Sequence, residues 1–405
     1  MGLNVEKIRE DFPVLKREIN GKPIIYFDNA CMTLRPIQVI EKISEYYREY
    51  PSCGERSLHK LGKRVDEEME KARNIIRKFI NAKKFEEIVF TKNTTEGINL
   101  VANSLDLKKG DVVLTTDKEH NSNLLPWQKL ASRGVRHEVV KSNEDNTFSL
   151  ENFKNQMSKN VRLVSVVHTS NLDGVSTPAK EIIKIAHDYG AKVLLDGAQS
   201  VPHHPVDVRK LDADFLAFSG HKMMGPTGTG VLYGKRHLLE ELRPFVVGGG
   251  TVIDTTQHKA KFEEIPQKFE AGLQNYAGII GLGEAAKYLM KTGRENVEKH
   301  EIELNKIITR GTENLEKILL VGPENPEKRG GVFSFNVGKT SPHEIAMMMD
   351  EMENICVRSG AHCVHSWFNE HKLNGSVRAS LYLYNTIEEC EKFVETLMKI
   401  TYLVK

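Results

Sequence analysis

Between residues 86 and 235 short β-rich apolar runs alternate with segments of helical length and composition. The runs at 88–91, 112–115, 162–168, 192–196, 215–219 and 230–233 predict strands, and 95–104 and 178–189 predict helices. Alternation of this kind predicts a mainly parallel sheet covered by helices on both faces. A strongly charged helix is expected before it, over 65–80. After the glycines at 248–250 the character changes. A Lys- and Glu-rich stretch leads to an apolar helix, "AGIIGLGEAAKYLM", and then to a charged helix over 294–318. "GGVFSFNVG" and "SVRASLYLY" predict strands of a second lobe, with a helix over 343–351 between them. The expected division is a large α/β domain at 15–260 and a smaller α+β domain made of 1–14 and 261–405.

A chain of 405 residues exceeds one simple core and predicts two or three lobes. Its 40% hydrophobic and 28% charged content are those of a soluble globular protein. A net charge of +2 gives no electrostatic case for nucleic acid or an acidic membrane surface. No eighteen apolar residues run together and no signal peptide is evident, so a cytoplasmic protein is expected. The five cysteines, at 31, 53, 356, 363 and 390, do not make a disulfide framework. In a reducing compartment a special cysteine is reactive sooner than structural.

Ligands of doubly wound sheets sit beyond the carboxyl ends of the strands. Asp196 ends "KVLLD", Lys222 closely follows "FLAFS" and Asn171 follows "VSVVH", so these three converge at one rim. Partial burial makes a lysine amine available for a Schiff base with an aldehyde. A strand-end aspartate can hold a protonated pyridine nitrogen, and a helix N-terminus can hold a phosphate. Those are the requirements of pyridoxal 5'-phosphate. Thr94 and Thr95 open a helix in "TKNTTEGINL", and Ser219 and His221 flank the lysine. Gly225, Gly228 and Gly230 are expected to let backbone approach a bound ring. Each feature alone has a plainer reading, as a solvated lysine or a helix cap. Their order along one alternating chain is what points to a cofactor site.

The chain resembles the class V aminotransferase superfamily, and within it the SUF-type (group II) cysteine desulfurases and selenocysteine lyases. The resemblance runs from "YFDNACMTLRP" through "FTKNTTEGINLVA", "EHNSNLLPWQ", "HTSNLDGVSTP", "LLDGAQSVPH" and "SGHKMMGPTGTGVLYG" to "FEAG", "VRSGAHC" and "VRASLYLYNT". It implies the type I fold of pyridoxal-phosphate enzymes, built as a homodimer. By position, it makes Lys222 the Schiff-base lysine and Asp196 the partner of the pyridine nitrogen. Gln199 and Asn171 would lie near the phenolic oxygen, and His120 on the ring face. Thr94, Thr95, Ser219 and His221 would bind the phosphate. Arg378 resembles the arginine that grips the substrate carboxylate, with Arg358 and Asn29 near the same pocket.

"RSGAHC" supplies Cys363, and a thiolate is a strong nucleophile toward sulfur. The resemblance makes it the residue that takes sulfur from L-cysteine as a persulfide and leaves L-alanine, with Lys222 and His120 moving protons. It implies a sulfur acceptor (a SufE- or SufU-like carrier or an iron–sulfur scaffold) and a part in iron–sulfur cluster assembly. The alternatives are another reaction of the superfamily, such as selenocysteine cleavage, sulfinate removal or transamination, or a sulfur-relay scaffold without turnover. Two positions depart from the pattern: Leu273 stands where the family usually has threonine, and Glu55 where SUF-type members tend to have histidine. "GLGEAA" at 281–286 follows no strand and reads as helix packing. His362, Cys363 and His365 lack a second ligand cluster, so no metal is predicted. Cys31, Cys53, Cys356 and Cys390 read as packing or surface residues, Cys31 and Cys53 being the less settled pair.

Overall fold

The computed structural model describes residues 2–404. A seven-stranded sheet forms from β1 (Ile88–Thr91), β2 (Val112–Thr116), β3 (Arg136–Val140), β4 (Val161–Val167), β5 (Lys192–Asp196), β6 (Phe215–Ser219) and β7 (Gly230–Gly234). Their spatial order is β1-β7-β6-β5-β4-β2-β3. All neighbours pair in parallel except β7, which is antiparallel to β1 and β6. Every residue of β2, β6 and β7 is buried, as strands covered on both faces require. The sequence reading misses β3. It lies at the sheet's edge, where half-exposed His137 and Glu138 interrupt the apolar run.

A second, antiparallel sheet has β8 (Ile318–Val321), β9 (Val332–Val337), β10 (Arg358–Gly360) and β11 (Ser376–Ser380) in the order β8-β9-β11-β10. Its core joins Phe333, Phe335 and Val377 to Leu304 and Ile308 of the helix Arg294–Thr312 and to Phe393 and Leu397 of the helix Ile387–Leu403. The charged helix expected to reach 318 ends at Thr312, because Ile318–Val321 is taken into this sheet.

The apolar helix Tyr276–Thr292 departs from the expected division at residue 260. Ile279, Leu282, Ala286 and Leu289 lie in the core of the large sheet, with Ala72 and Ile76 of the helix Lys60–Phe79. Gly283 makes the fit: a Cβ there would stand 2.9 Å from the Ala72 backbone. The chain start touches both units. Arg9 Nη1 donates to the Tyr384 carbonyl (2.6 Å) and Glu389 (2.8 Å), while the Phe12 ring packs on Tyr288 and Tyr384. A parallel pair, Ile25–Tyr26 with Ile355–Cys356, brings residues 25–33 between the two sheets. No helix among the described residues is long and apolar enough to cross a membrane.

Candidate active site

The carboxyl ends of β1, β2, β4, β5 and β6 face β10 and β11 across a cavity of about 410 Å³, within the usual range for a small-molecule site. The cavity collects Thr94, Thr95, His120, Asn171, Asp196, Gln199, Ser219, His221, Lys222, Arg358, Cys363 and Arg378. Asn29 stays outside it. Its amide nitrogen donates to the carbonyls of Tyr26 (3.2 Å) and Ser380 (2.7 Å) and to Asn385 (3.2 Å), and its oxygen accepts from the Tyr384 hydroxyl. Asn29 therefore braces the fold, fully buried and outside the cavity.

Lys222 closes the single turn Gly220–Lys222 that follows β6. Burial lowers its pKa and nearby Arg378 adds to the effect, while Asp196 and the sulfurs of Cys31 and Cys363 oppose it. Asp196 is 3% exposed, and burial raises its carboxyl against the Ala198 N–H and Lys222. Its Oδ1 accepts from that N–H at 3.0 Å. No described residue donates to its Oδ2. A protonated ring nitrogen fits that lone acceptor, and an aldehyde fits the adjacent amine.

His120 caps the helix Asn121–Lys129. Its Nδ1 accepts from the Ser122 N–H at 3.1 Å, which leaves the proton of the neutral ring on Nε2. Burial and the charges of Lys222 and Arg378 lower its pKa to about 3, so the neutral form prevails. Opposite it, Asn93 caps the helix Thr94–Ser104 by accepting from the Glu96 N–H at 2.9 Å. Ser219 accepts from the Thr94 N–H (2.8 Å) and pairs with its hydroxyl (2.6 Å), and Thr95 pairs with Ser122 at 2.7 Å. This cup of hydroxyls at a helix N-terminus suits a phosphate, with His221 alongside. Gly230 allows the cup, since a Cβ there would meet Asn93 Cα at 2.6 Å. Gly225, Gly228 and Gly230 do not line the cavity; Gly225 faces the Gly220 carbonyl and Gly230 faces Asn93.

Cys363 is exposed, in a loop where His362 (φ 49°) and Cys363 (φ 59°) both adopt left-handed backbone. Such conformations cost about 1–3 kcal/mol each and persist where neighbours enforce them. The Asn121 N–H donates to the Cys363 carbonyl (2.7 Å) and Asn171 Nδ2 to the His362 carbonyl (2.8 Å). Asn171 thus holds the thiol loop to the end of β4. Arg378, 3% exposed, donates through Nη1 to the Asn171 carbonyl (2.8 Å), while its buried Nε has no partner.

Sequence reasoning missed three residues here. Asp28 lies 3.6 Å from Arg378 Nη2 and 3.7 Å from Arg358 Nη1. Glu119 is buried directly behind His120. Cys31 lines the cavity, where the resemblance offered a signal: it stands at the second alanine of the family's Tyr-Leu-Asp-Asn-Ala-Ala opening.

The aminotransferase class-V family matches residues 25–393. A probable cysteine desulfurase of Synechocystis sp. is 43% identical over 396 residues, covering 96% of this chain and 94% of that protein. A cysteine desulfurase of Escherichia coli O8 is 42% identical over 406 residues, with 99% of each chain covered. Among solved structures, the apo cysteine desulfurase from Thermococcus onnurineus NA1 superposes with a TM-score of 0.94 at 41% identity, covering 98% of both chains. The fold is the type I fold expected from the sequence, and the chain belongs to the class-V aminotransferase family.

Proposed function

We propose that this protein is a pyridoxal-phosphate-dependent cysteine desulfurase, converting L-cysteine to L-alanine and retaining the sulfur as a persulfide on Cys363. The observation that carries this reading is that one cavity holds a lysine amine, a buried aspartate with an unused oxygen and an exposed thiol. The names of the full-length relatives support it.

When bound, the cofactor supplies an electron sink for cleavage at the substrate Cα. The chain's own residues supply the rest. Lys222 would hold the cofactor aldehyde and then move the Cα proton, a task helped by burial that favours its neutral amine. Asp196 Oδ2 would hold the proton of the ring nitrogen. The guanidinium of Arg378, which lines the cavity, would seat the substrate carboxylate, and Arg358 would add charge at the more open side. Cys363 Sγ would attack the substrate sulfur, forming the S–S bond as the Cβ–S bond breaks. His120 Nε2–H would deliver a proton to the three-carbon product.

Exposure of Cys363 supports delivery to a protein acceptor, such as a carrier or iron–sulfur scaffold. Phe245, Val246, Val247, Ile253, Phe262 and Leu273 are each exposed apolar side chains within residues 245–273, which supports a homodimer. The deciding experiment is Cys363→Ser loaded with cofactor. It is expected to keep the bound-cofactor spectrum and to form no persulfide from L-cysteine. Undiminished release of alanine and sulfide by that variant would refute the reading.

A further inference from the structure

Cys31 and Cys363 line the same cavity, and both sulfurs are electrostatic neighbours of Lys222. Cys31 sits in a turn whose backbone is tied to the site on either side. Gln199 Nε2 donates to the Ala30 carbonyl (2.7 Å), the Ala30 N–H to Ser380 Oγ (2.9 Å) and the Thr33 N–H to the His221 carbonyl (3.0 Å). Cys31 is thus a half-buried thiol on a braced wall, facing the space that Cys363 enters from an exposed loop. Arg378 lines the same cavity, and its guanidinium is a charged neighbour of the Cys31 sulfur.

We infer that Cys31 is a second sulfur-carrying residue, which takes the outer sulfur from the Cys363 persulfide and frees Cys363 for another turnover. The inference rests on the desulfurase reading above. In the exchange, Cys31 Sγ bonds to the outer sulfur as the S–S bond to Cys363 breaks, and Cys363 leaves as thiolate. The Cys31 thiol proton passes to the departing Cys363. Nothing is oxidised or reduced overall, because the sulfane sulfur only changes its carrier. The alternative attack, on the inner sulfur, would release hydrosulfide and join the two cysteines as a disulfide.

The test supplies holoenzyme with sulfur-labelled L-cysteine in the absence of an acceptor, quenches with iodoacetamide and maps the label by peptide mass spectrometry. Wild-type protein is expected to carry label first on Cys363 and then on Cys31. Cys31→Ala should hold label on Cys363 alone, at half the total per chain, and Cys363→Ser should hold none. In the apoprotein the short bifunctional reagent dibromobimane should bridge the two thiols, which measures their reach without turnover. Label confined to Cys363 in wild-type protein overturns the inference and leaves the desulfurase reading intact. Label on Cys31 in Cys363→Ser, or hydrosulfide release with a Cys31–Cys363 disulfide, also overturns the relay. Absence of label from Cys363 in wild-type protein sinks the desulfurase reading itself.

Discussion

Glu119, directly before His120, is fully buried. Its Oε1 accepts from the Thr116 N–H (3.1 Å), the Thr116 hydroxyl (2.7 Å) and the Val167 N–H (2.9 Å), and its Oε2 from Asn123 Nδ2 (2.7 Å). The carboxylate therefore pins the ends of β2 and β4 to the helix that begins at His120. Burial nevertheless pushes its pKa up to about 7 from 4.5, against those donors and with help from the Asp196 charge. A shift of that size is worth about 3 kcal/mol. Because the folded state keeps the proton to higher pH than the unfolded chain, this stability is whole below about pH 4.5 and is lost as pH rises through about 7.

Glu119→Gln removes the titration but sets an amide N–H against Asn123 Nδ2. Asn123 is not free to turn over, since its Oδ1 accepts from Trp127 Nε1 (3.2 Å) and Ser165 Oγ (2.6 Å). That mismatch costs about 1–3 kcal/mol at every pH. The variant's deficit should be largest near about pH 5 and shrink by about 3 kcal/mol toward about pH 8. For a chain of this length that is about 3–4 °C in Tm. Calorimetry of both holoproteins across this range measures it. A deficit that stays constant with pH would refute the assignment of the titrating group.

Three further outcomes are expected. Arg378→Lys loses the planar fork that reaches the Asn171 carbonyl and the carboxylate seat, so KM for cysteine should rise about 10-fold or more, at about 1.4 kcal/mol per decade; an unchanged KM would argue for another carboxylate site. Asn171→Ala releases the His362 carbonyl, so iodoacetamide should label Cys363 faster and persulfide formation should slow about 5- to 10-fold, matching about 1 kcal/mol for one hydrogen bond. Arg73→Ala leaves Glu270 buried without its two-pronged partner at 2.7 and 2.8 Å, and unfolding measurements should show about 3–5 kcal/mol lost.

The central strands were legible because full burial on both faces writes itself as unbroken apolar runs, as in "FLAFS" and "KVLLD". The edge strand β3 carries a mixed sequence. The strand β8, though wholly apolar (ILLV), is only four residues long and follows a charged helix, so it could not be told from a helix tail. The convergence of Asp196, Lys222 and Asn171 on one cavity was legible because strand ends fix where side chains meet, and the motifs mark the ends. Asp28, Glu119 and Cys31 owe their surroundings to contacts distant in sequence: β10 with β11, β4 with β2, and the braced turn beside His221. Asn29 misled for the same reason, since its motif position says nothing of the Ser380 and Asn385 groups that consume it.

Arg358 and Arg378 are directly opposite each other on β10 and β11. Like charges so placed repel, and Arg378 is also buried, which lowers its pKa. Among the described residues Asp28 is the only carboxylate set between them, at 3.6 and 3.7 Å, and burial raises its own pKa against both cations. Neither distance is a close hydrogen bond, so the positive charge is only partly met. A carboxylate bound beside the two guanidinium groups, as proposed for the substrate, would relieve that repulsion. The cost of holding two guanidinium groups together is thus already present in the folded chain. If these arginines hold the substrate carboxylate as proposed, part of its affinity would come from this preorganised charge.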